Sequence, residues 1–257
     1  PNIGECYGKG RATFLIMGPN CTRACAFCAI TREAPVPIDP DEPRRVGEAV
    51  RRLNLRHAVV TSVTRDDCAD GGSAHFAAVI RAIRMCHTCT VEVLTPDFQG
   101  SETALRTVCD AGPDVFNHNI ETVPRLYATV RPQADYRQSL GVLAFVARTY
   151  PALCVKSGMM VGLGEREDEV LTSLADLRAA GVQSVTIGQY LCPQSSKNIP
   201  VAEYVHPDVF ERYRAAALEL GFASVASSPF VRSSYNAMEA FEQVQARPGH
   251  AGPDTHS

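Results

Sequence analysis

No apolar run in this 257-residue chain approaches the ~20 residues a membrane span needs, so it carries no evident spanning helix. No basic block is present either. With 25 Lys and Arg against 28 Asp and Glu, the net charge is −3. That excludes a nucleic-acid binder held by phosphate contacts. Charged residues make up only 21% of the chain and hydrophobic ones 45%, which excludes disorder as the main state. Lysine is confined to Lys9, Lys156 and Lys197 while arginine is abundant, which we read as a coding bias. The opening Pro1-Asn2-Ile3 lacks the charged and apolar regions of a signal peptide. It also lacks an initiator Met, so the chain reads as a fragment or a processed form. These absences point to a cytoplasmic protein, or a mitochondrial one if the source is eukaryotic.

What the chain does have is ten cysteines. A small secreted domain would use them as disulfides, but this chain is long enough to bury an ordinary core, and such clusters then more often bind metal or do chemistry. Cys21, Cys25 and Cys28 form a C-x3-C-x2-C loop directly after a strand predicted at Ala12–Met17. Thiolates suit soft metals and iron–sulfur clusters. Three from one loop can hold three irons of a [4Fe–4S] cube and leave the fourth open, with Phe27 shielding it from water. A zinc knuckle is the alternative, but a closed zinc site wants a fourth ligand, and the nearest histidine, His57, is remote in sequence.

Short β-branched runs alternate with amphipathic stretches along the rest of the chain. Strands are predicted at His57–Ser62, Thr90–Thr95, Asp114–Asn119, Leu153–Met160 and Ser184–Tyr190. Helices are predicted at Ala74–Met85, Glu102–Asp110, Pro124–Val130, Arg137–Tyr150, Glu167–Ala180 and His206–Leu220, the last two stopped by Gly181 and Gly221. Such alternation implies βαβ units and a parallel sheet. About six units suggest an α/β partial barrel of (β/α)6 type, a parallel sheet with outer helices. Polar residues gather at the strand C-termini, among them Thr61–Asp67, Asp97 and Asn117–Glu121, where barrels carry their active sites. The polar stretch after Arg247 reads as a disordered tail.

The cysteine loop with βα units behind it resembles the radical S-adenosylmethionine (radical SAM) superfamily. Within that superfamily the chain resembles the lipoyl synthases over roughly residues 1–240. The matching stretches include Pro1-Asn-Ile-Gly-Glu-Cys6, Thr61-Ser-Val-Thr-Arg-Asp-Asp67, Asp70-Gly-Gly72 and Asp114-Val-Phe-Asn-His-Asn-Ile-Glu-Thr-Val-Pro-Arg-Leu-Tyr127. They continue through Val130-Arg-Pro, Lys156-Ser-Gly, Met160-Val-Gly-Leu-Gly-Glu165, Ile187-Gly-Gln-Tyr-Leu191 and Arg232-Ser-Ser-Tyr235.

The resemblance implies insertion of two sulfur atoms, at C6 and C8 of an octanoyl chain on a carrier-domain lysine, by a radical sulfurtransferase. It implies two [4Fe–4S] clusters and S-adenosylmethionine. Cys21, Cys25 and Cys28 fall on the cluster that cleaves the cofactor. Cys6 and Ser234, preferred over Ser233, fall on a sulfur-donating auxiliary cluster whose other cysteines would precede Pro1, so the sequence reads as truncated inside that motif. The implied partners are octanoylated lipoyl carrier domains and an electron donor such as ferredoxin or flavodoxin, with no nucleic acid and no membrane. The implied organisation is an N-terminal segment over 1–20 carrying Cys6, a barrel over 12–240 and the tail over 241–257.

Asn119 and Glu121 are candidates for hydrogen bonds to the cofactor ribose, or for ordinary strand-end bonding. Gly162, in Gly158-x-Met160-x-Gly162-x-x-Glu165, suits either an adenine-facing backbone or a tight strand exit. Arg65, Asp66 and Asp67 equally read as loop-ordering charges. Cys86 and Cys89 read as structural, as do Cys109, Cys154 and Cys192; His75 and His206 read as helix-start groups. Departures from the family pattern are Asn236 and Asn198 in place of His, Ser228 in place of Gly, and Cys68-Ala69 in place of Leu-Pro. Other readings are a radical sulfur-inserting enzyme of the biotin-synthase kind and a non-catalytic remnant with an incomplete auxiliary cluster.

Overall fold

The computed structural model describes residues 10–194 and 197–233. Seven strands form one sheet in chain order: β1 (Arg11–Ile16), β2 (His57–Ser62), β3 (Thr90–Leu94), β4 (Val115–Asn117), β5 (Cys154–Val161), β6 (Ser184–Gln189) and β7 (Ser224–Ser227). Every neighbouring pair is parallel. Among the described residues no hydrogen-bonded pair joins β7 to β1, so the barrel is open. The short β7 adds a strand to the six expected. Its Ser-Val-Ala-Ser lacks a run of branched residues, and the sheet edge defines it.

The connections are α1 (Glu42–Arg52), α2 (Ser73–Cys86), α3 (Glu102–Cys109), α4 (Tyr127–Val130), α5 (Tyr136–Thr149), α6 (Glu167–Ala179) and α7 (Pro207–Glu219). Their starts are written in the sequence. The Ser101 and Asp135 side chains accept hydrogen bonds from Ala104 N (3.3 Å) and Gln138 N (2.7 Å). His206 caps α7 ahead of Pro207, whose missing N–H costs nothing in a first turn. α1 went unpredicted because Glu42-Pro-Arg-Arg-Val carries few apolar residues; its buried stripe is Pro43, Val46, Gly47 and Val50.

Sheet and helices share one core that runs from Ile16, Val60 and Val93 through Phe116 to Ile187 and Phe222. The inner strands β2 to β6 are largely buried on both faces, so they read as apolar runs without alternation, whereas β1 at the edge exposes Thr13 and Leu15. One layer of the barrel interior is ionic. Glu92 of β3 receives Lys156 Nζ of β5 at 3.0 and 3.3 Å and Asn117 Nδ2 of β4 at 3.0 Å, and His57 Nε2 of β2 lies 3.5 Å away. This layer closes the barrel below the strand C-termini and leaves that end for a site.

Candidate active site

Cys21, Cys25 and Cys28 line one cavity of about 190 Å³ at the C-terminal ends of β1 to β4. Thr61, Ser62, Thr64, Thr95, His118, Asn119, Glu121, Arg131 and Phe27 line it with them. Parallel strands end together, so residues far apart in sequence meet there.

The cysteine loop is held from several sides. Cys21 N donates to Thr31 O (2.9 Å), Thr22 N to Thr64 O (3.1 Å) and Ala26 N to Val130 O (2.9 Å). Asn198 Nδ2 donates to the carbonyls of Ala26 (3.1 Å) and Cys28 (2.8 Å). Arg23, inside the triplet, makes two bonds of 2.7 Å to Asp97 and reaches Asp66 at 2.7 and 3.0 Å. The fork matches both carboxylates. Burial alone would raise Asp97, but the Arg23 bond and charge hold it down at about 2. Arg65 is likewise spent on Asp67 and on the Met17 carbonyl (3.2 Å), so Arg65, Asp66 and Asp67 order the loop.

Cys21 Sγ accepts N–H bonds from Thr64 (3.3 Å) and Arg23 (3.4 Å), the kind of contact that tunes a thiolate-held cluster. Burial raises the thiols of Cys25 and Cys28; the Arg131 charge works against it at Cys25, and the Ile30 backbone at Cys28. Binding metal as thiolates therefore releases protons. His118 is neutral: burial and the Arg131 charge lower it to about 4. Its Nδ1 faces the Thr95 carbonyl (2.9 Å), which only accepts, so Nδ1 carries the proton and Nε2 accepts from Ser139 Oγ (3.1 Å).

Asn119 and Glu121 both line the cavity. Asn119 Nδ2 donates to Glu121 Oε1 (3.1 Å) and to Ser233 Oγ (2.7 Å), while its buried Oδ1 has no partner. Glu121 sits at φ +65, locked by Glu121 N to Gly158 O (3.1 Å) and Met160 N to Glu121 O (2.8 Å). A non-glycine residue held in that region costs on the order of 1 kcal/mol and collects at functional sites. Burial raises the Glu121 carboxyl, and Arg131 and Asn119 oppose the rise.

Gly158 and Gly162 serve packing. A Cβ on Gly158 would meet Thr186 Oγ1 at 2.5 Å and Asn119 Oδ1 at 3.0 Å. Gly162, at φ +94, faces the Gln189 side chain and the Glu203 carbonyl and does not line the cysteine cavity. Glu165 accepts from Gly162 N (2.5 Å) and Leu163 N (2.9 Å), which makes that segment a strand exit.

Cys6 and Ser234 lie outside the described residues, as does the 241–257 tail. Cys109 and Cys154 are buried, Cys192 packs beside Tyr190, and Cys86 and Cys89 are free thiols. Burial lifts Cys109 and Cys154 to about 12. His206 caps α7, as read from sequence, whereas His75 is neither cap nor surface group: its side chain is largely buried and its Nε2 pairs with Glu42 (2.7 Å). Sequence reasoning gave no role to Arg23, Arg131, His118 or Asn198. Arg23 meets Asp66 and Asp97 across 43 and 74 residues, a separation with no local signature. Asn198 showed only as a departure from the family pattern.

The donor set fits a cube. Three thiols line one cavity, and thiolates are the donors that iron–sulfur clusters take. A lone zinc takes thiolates at about 2.3 Å and draws its ligands tightly together, whereas a cube bonded at three corners spreads them. An open parallel barrel with this loop behind β1 is the architecture of the radical SAM superfamily, whose sequence model matches residues 15–177. Similar solved structures include Streptococcus suis SuiB bound to S-adenosylmethionine (TM-score 0.68, 7% identity, 85% of this chain and 50% of that one). Another is methylornithine synthase (TM-score 0.59, 12% identity, 88% and 76%).

Much nearer in sequence is a lipoyl synthase of Caldanaerobacter subterraneus subsp. tengcongensis, 57% identical over 92% of this chain and 83% of that protein. Another, of Rubrobacter xylanophilus, is 54% identical over 95% and 76%. The chain belongs to the lipoyl synthase family.

Proposed function

We propose that this chain inserts two sulfur atoms, at C6 and C8 of a protein-bound octanoyl-lysine, to make the lipoyl group. The observation that carries this is the 57% identity to a lipoyl synthase over 92% of the chain, joined to a cavity that gathers all three loop cysteines with Asn119 and Glu121. Cys21, Cys25 and Cys28 hold one [4Fe–4S] cluster. When bound there, that cluster and S-adenosylmethionine supply a carbon radical able to take hydrogen from an unactivated C–H bond.

The chain's own residues bind, orient and exclude. The Arg23–Asp66–Asp97 clamp and Asn198 fix the loop. Phe27 and Ile30 keep water from the cavity. Neutral His118 offers the cavity no titrating proton. Asn119, through its free Oδ1, and Glu121 are placed to bond the hydroxyls of a nucleoside; Gly162 supports the turn behind them.

Cys6 and Ser234 hold an auxiliary cluster that donates the sulfur. Supporting the choice of Ser234 over Ser233, the Ser233 hydroxyl oxygen accepts a bond from Asn119 Nδ2 at 2.7 Å. The family pattern puts the remaining ligands ahead of Pro1. The substrates are octanoylated lipoyl carrier domains, and the electron comes from a donor of the ferredoxin or flavodoxin kind. The test is product analysis with an octanoylated carrier peptide. Two sulfurs at C6 and C8 are expected from the reconstituted enzyme once the remaining auxiliary ligands are included, and cofactor cleavage without sulfur insertion from residues 1–257 alone. Sulfur insertion into a different substrate, with none into this peptide, would contradict the reading and favour an enzyme of the biotin-synthase kind.

A further inference from the structure

The cysteine cavity is unbalanced in charge. Holding a cube takes all three thiols as thiolates, and Glu121 adds a carboxylate to the same cavity. Among the described residues lining it, Arg131 is the one charged cation, because His118 is neutral. Arg131 is 8% exposed. Its Nη1 donates to three uncharged acceptors: the carbonyls of Asn119 and Ile120 (3.1 Å each) and the Tyr127 hydroxyl (3.2 Å). Its Nε has no partner, and it forms no ion pair among the described residues. The guanidinium also lies 5.4 Å from the Tyr127 ring centroid.

The charges that face it belong to the cavity itself, since Glu121 and Cys25 both act on Arg131 through charge; a buried cation without such partners is costly, so its place here marks a use for its charge. The chain ties it to the cysteine loop directly, since the carbonyl of Val130 receives Ala26 N at 2.9 Å. We infer that Arg131 is the counter-charge of the cysteine-held cluster and raises its reduction potential. This rests on the reading of Cys21, Cys25 and Cys28 as its ligands. A cluster gains one electron on reduction, so a fixed cation nearby favours the reduced form.

Arg32 is the internal control. Its Nη2 reaches the Cys25 carbonyl at 3.2 Å, but the side chain is exposed. At equal distance a charge in water, at an effective dielectric near 80, acts about a quarter as strongly as one at roughly 20 inside a protein. Salt screens the exposed one further.

The experiment is an anaerobic dithionite titration of the reconstituted chain, followed by spin resonance, without S-adenosylmethionine. Variants are R131Q, R131M, R131K and R32Q, each with iron content measured. At fixed poise, R131Q and R131M are expected to lower the ratio of reduced to oxidised cluster by tenfold or more, which is 59 mV for one electron. R131K, which keeps the charge, stays within about threefold of the parent chain, and so does R32Q. The inference is overturned if R131Q and R131M match the parent, if R131K shifts as far as R131Q, or if R32Q does. It is overturned as well if every Arg131 variant, Lys included, loses its iron, because Arg131 then holds the wall and not the charge. Failure of the ligand reading looks different: iron would stay after Cys21, Cys25 and Cys28 are replaced.

Discussion

Glu92 shows most sharply what a single buried side chain can decide. Burial alone would raise its carboxyl, but the Lys156 charge, His57 and Asn117 hold it at about 2. Its folded value lies below the ordinary 4.5, so the stability it contributes is complete above that pH and is lost as pH falls through 2. Replacing Lys156 with Met leaves that carboxylate buried without its cation, at a cost of about 3–5 kcal/mol. Thermal melting of the cluster-free chain at pH 7 should then fall by roughly 10 °C. The decline of melting temperature between pH 4.5 and 2 should also flatten, since Glu92 no longer needs its charge. An unchanged acid limb would show that the pair does not carry it. None of this was legible in Lys156-Ser-Gly or Val91-Glu-Val, where a charge among apolar residues has no visible partner.

At the scale of elements, the cysteine loop draws its shape from contacts made by neighbouring strands. Asp97 follows β3 and Asp66 follows β2, and Arg23 bridges them. Asp97→Asn removes the charge and keeps the shape, at a cost of about 1.5–3 kcal/mol for a charged bond. Backbone hydrogen exchange over residues 21–28 should speed by about 10- to 100-fold while β5 and β6 keep their protection. Equal loosening everywhere would mean that the clamp stabilises the barrel and not the loop. Gly162→Ala tests the strand exit. A Cβ at φ +94 against Gln189 and Glu203 should cost roughly 1–3 kcal/mol and lower the melting point while iron content stays that of the parent chain. Loss of iron with unchanged melting would restore Gly162 to the site.

The elements themselves were largely readable. Six of the seven strands follow from short apolar and β-branched runs, and two helix ends from Gly181 and Gly221. The loop cysteines and the strand-end polar residues were readable too, because local spacing and βα alternation carry them. α1 was not, because Pro43 and Gly47 fill half of its buried stripe and only Val46 and Val50 read as apolar; β7 was not, because Ser-Val-Ala-Ser has no apolar run of its own. The partners of Arg23, Arg131 and Asn198 were not either, because closing the sheet brings them together.

For the whole molecule, all crossovers return the chain to the same end of an open barrel, and the ionic layer of Glu92 and Lys156 blocks the other. The result is one mouth, shared by the cysteine cavity and by a smaller cavity of about 60 Å³ that Ser233 and Arg232 line with Glu121 in common. Among the described residues no helix is long and apolar enough to cross a membrane. Everything proposed for the chain depends on a cube held by three thiolates from a single loop. The most direct measurement is iron content and reduced-state spin resonance after anaerobic reconstitution, with Cys21, Cys25 and Cys28 replaced together by Ala. The parent chain should show a reduced [4Fe–4S] signal and cleave S-adenosylmethionine, and the triple variant should lose both. A triple variant that keeps the signal and the cleavage contradicts the account.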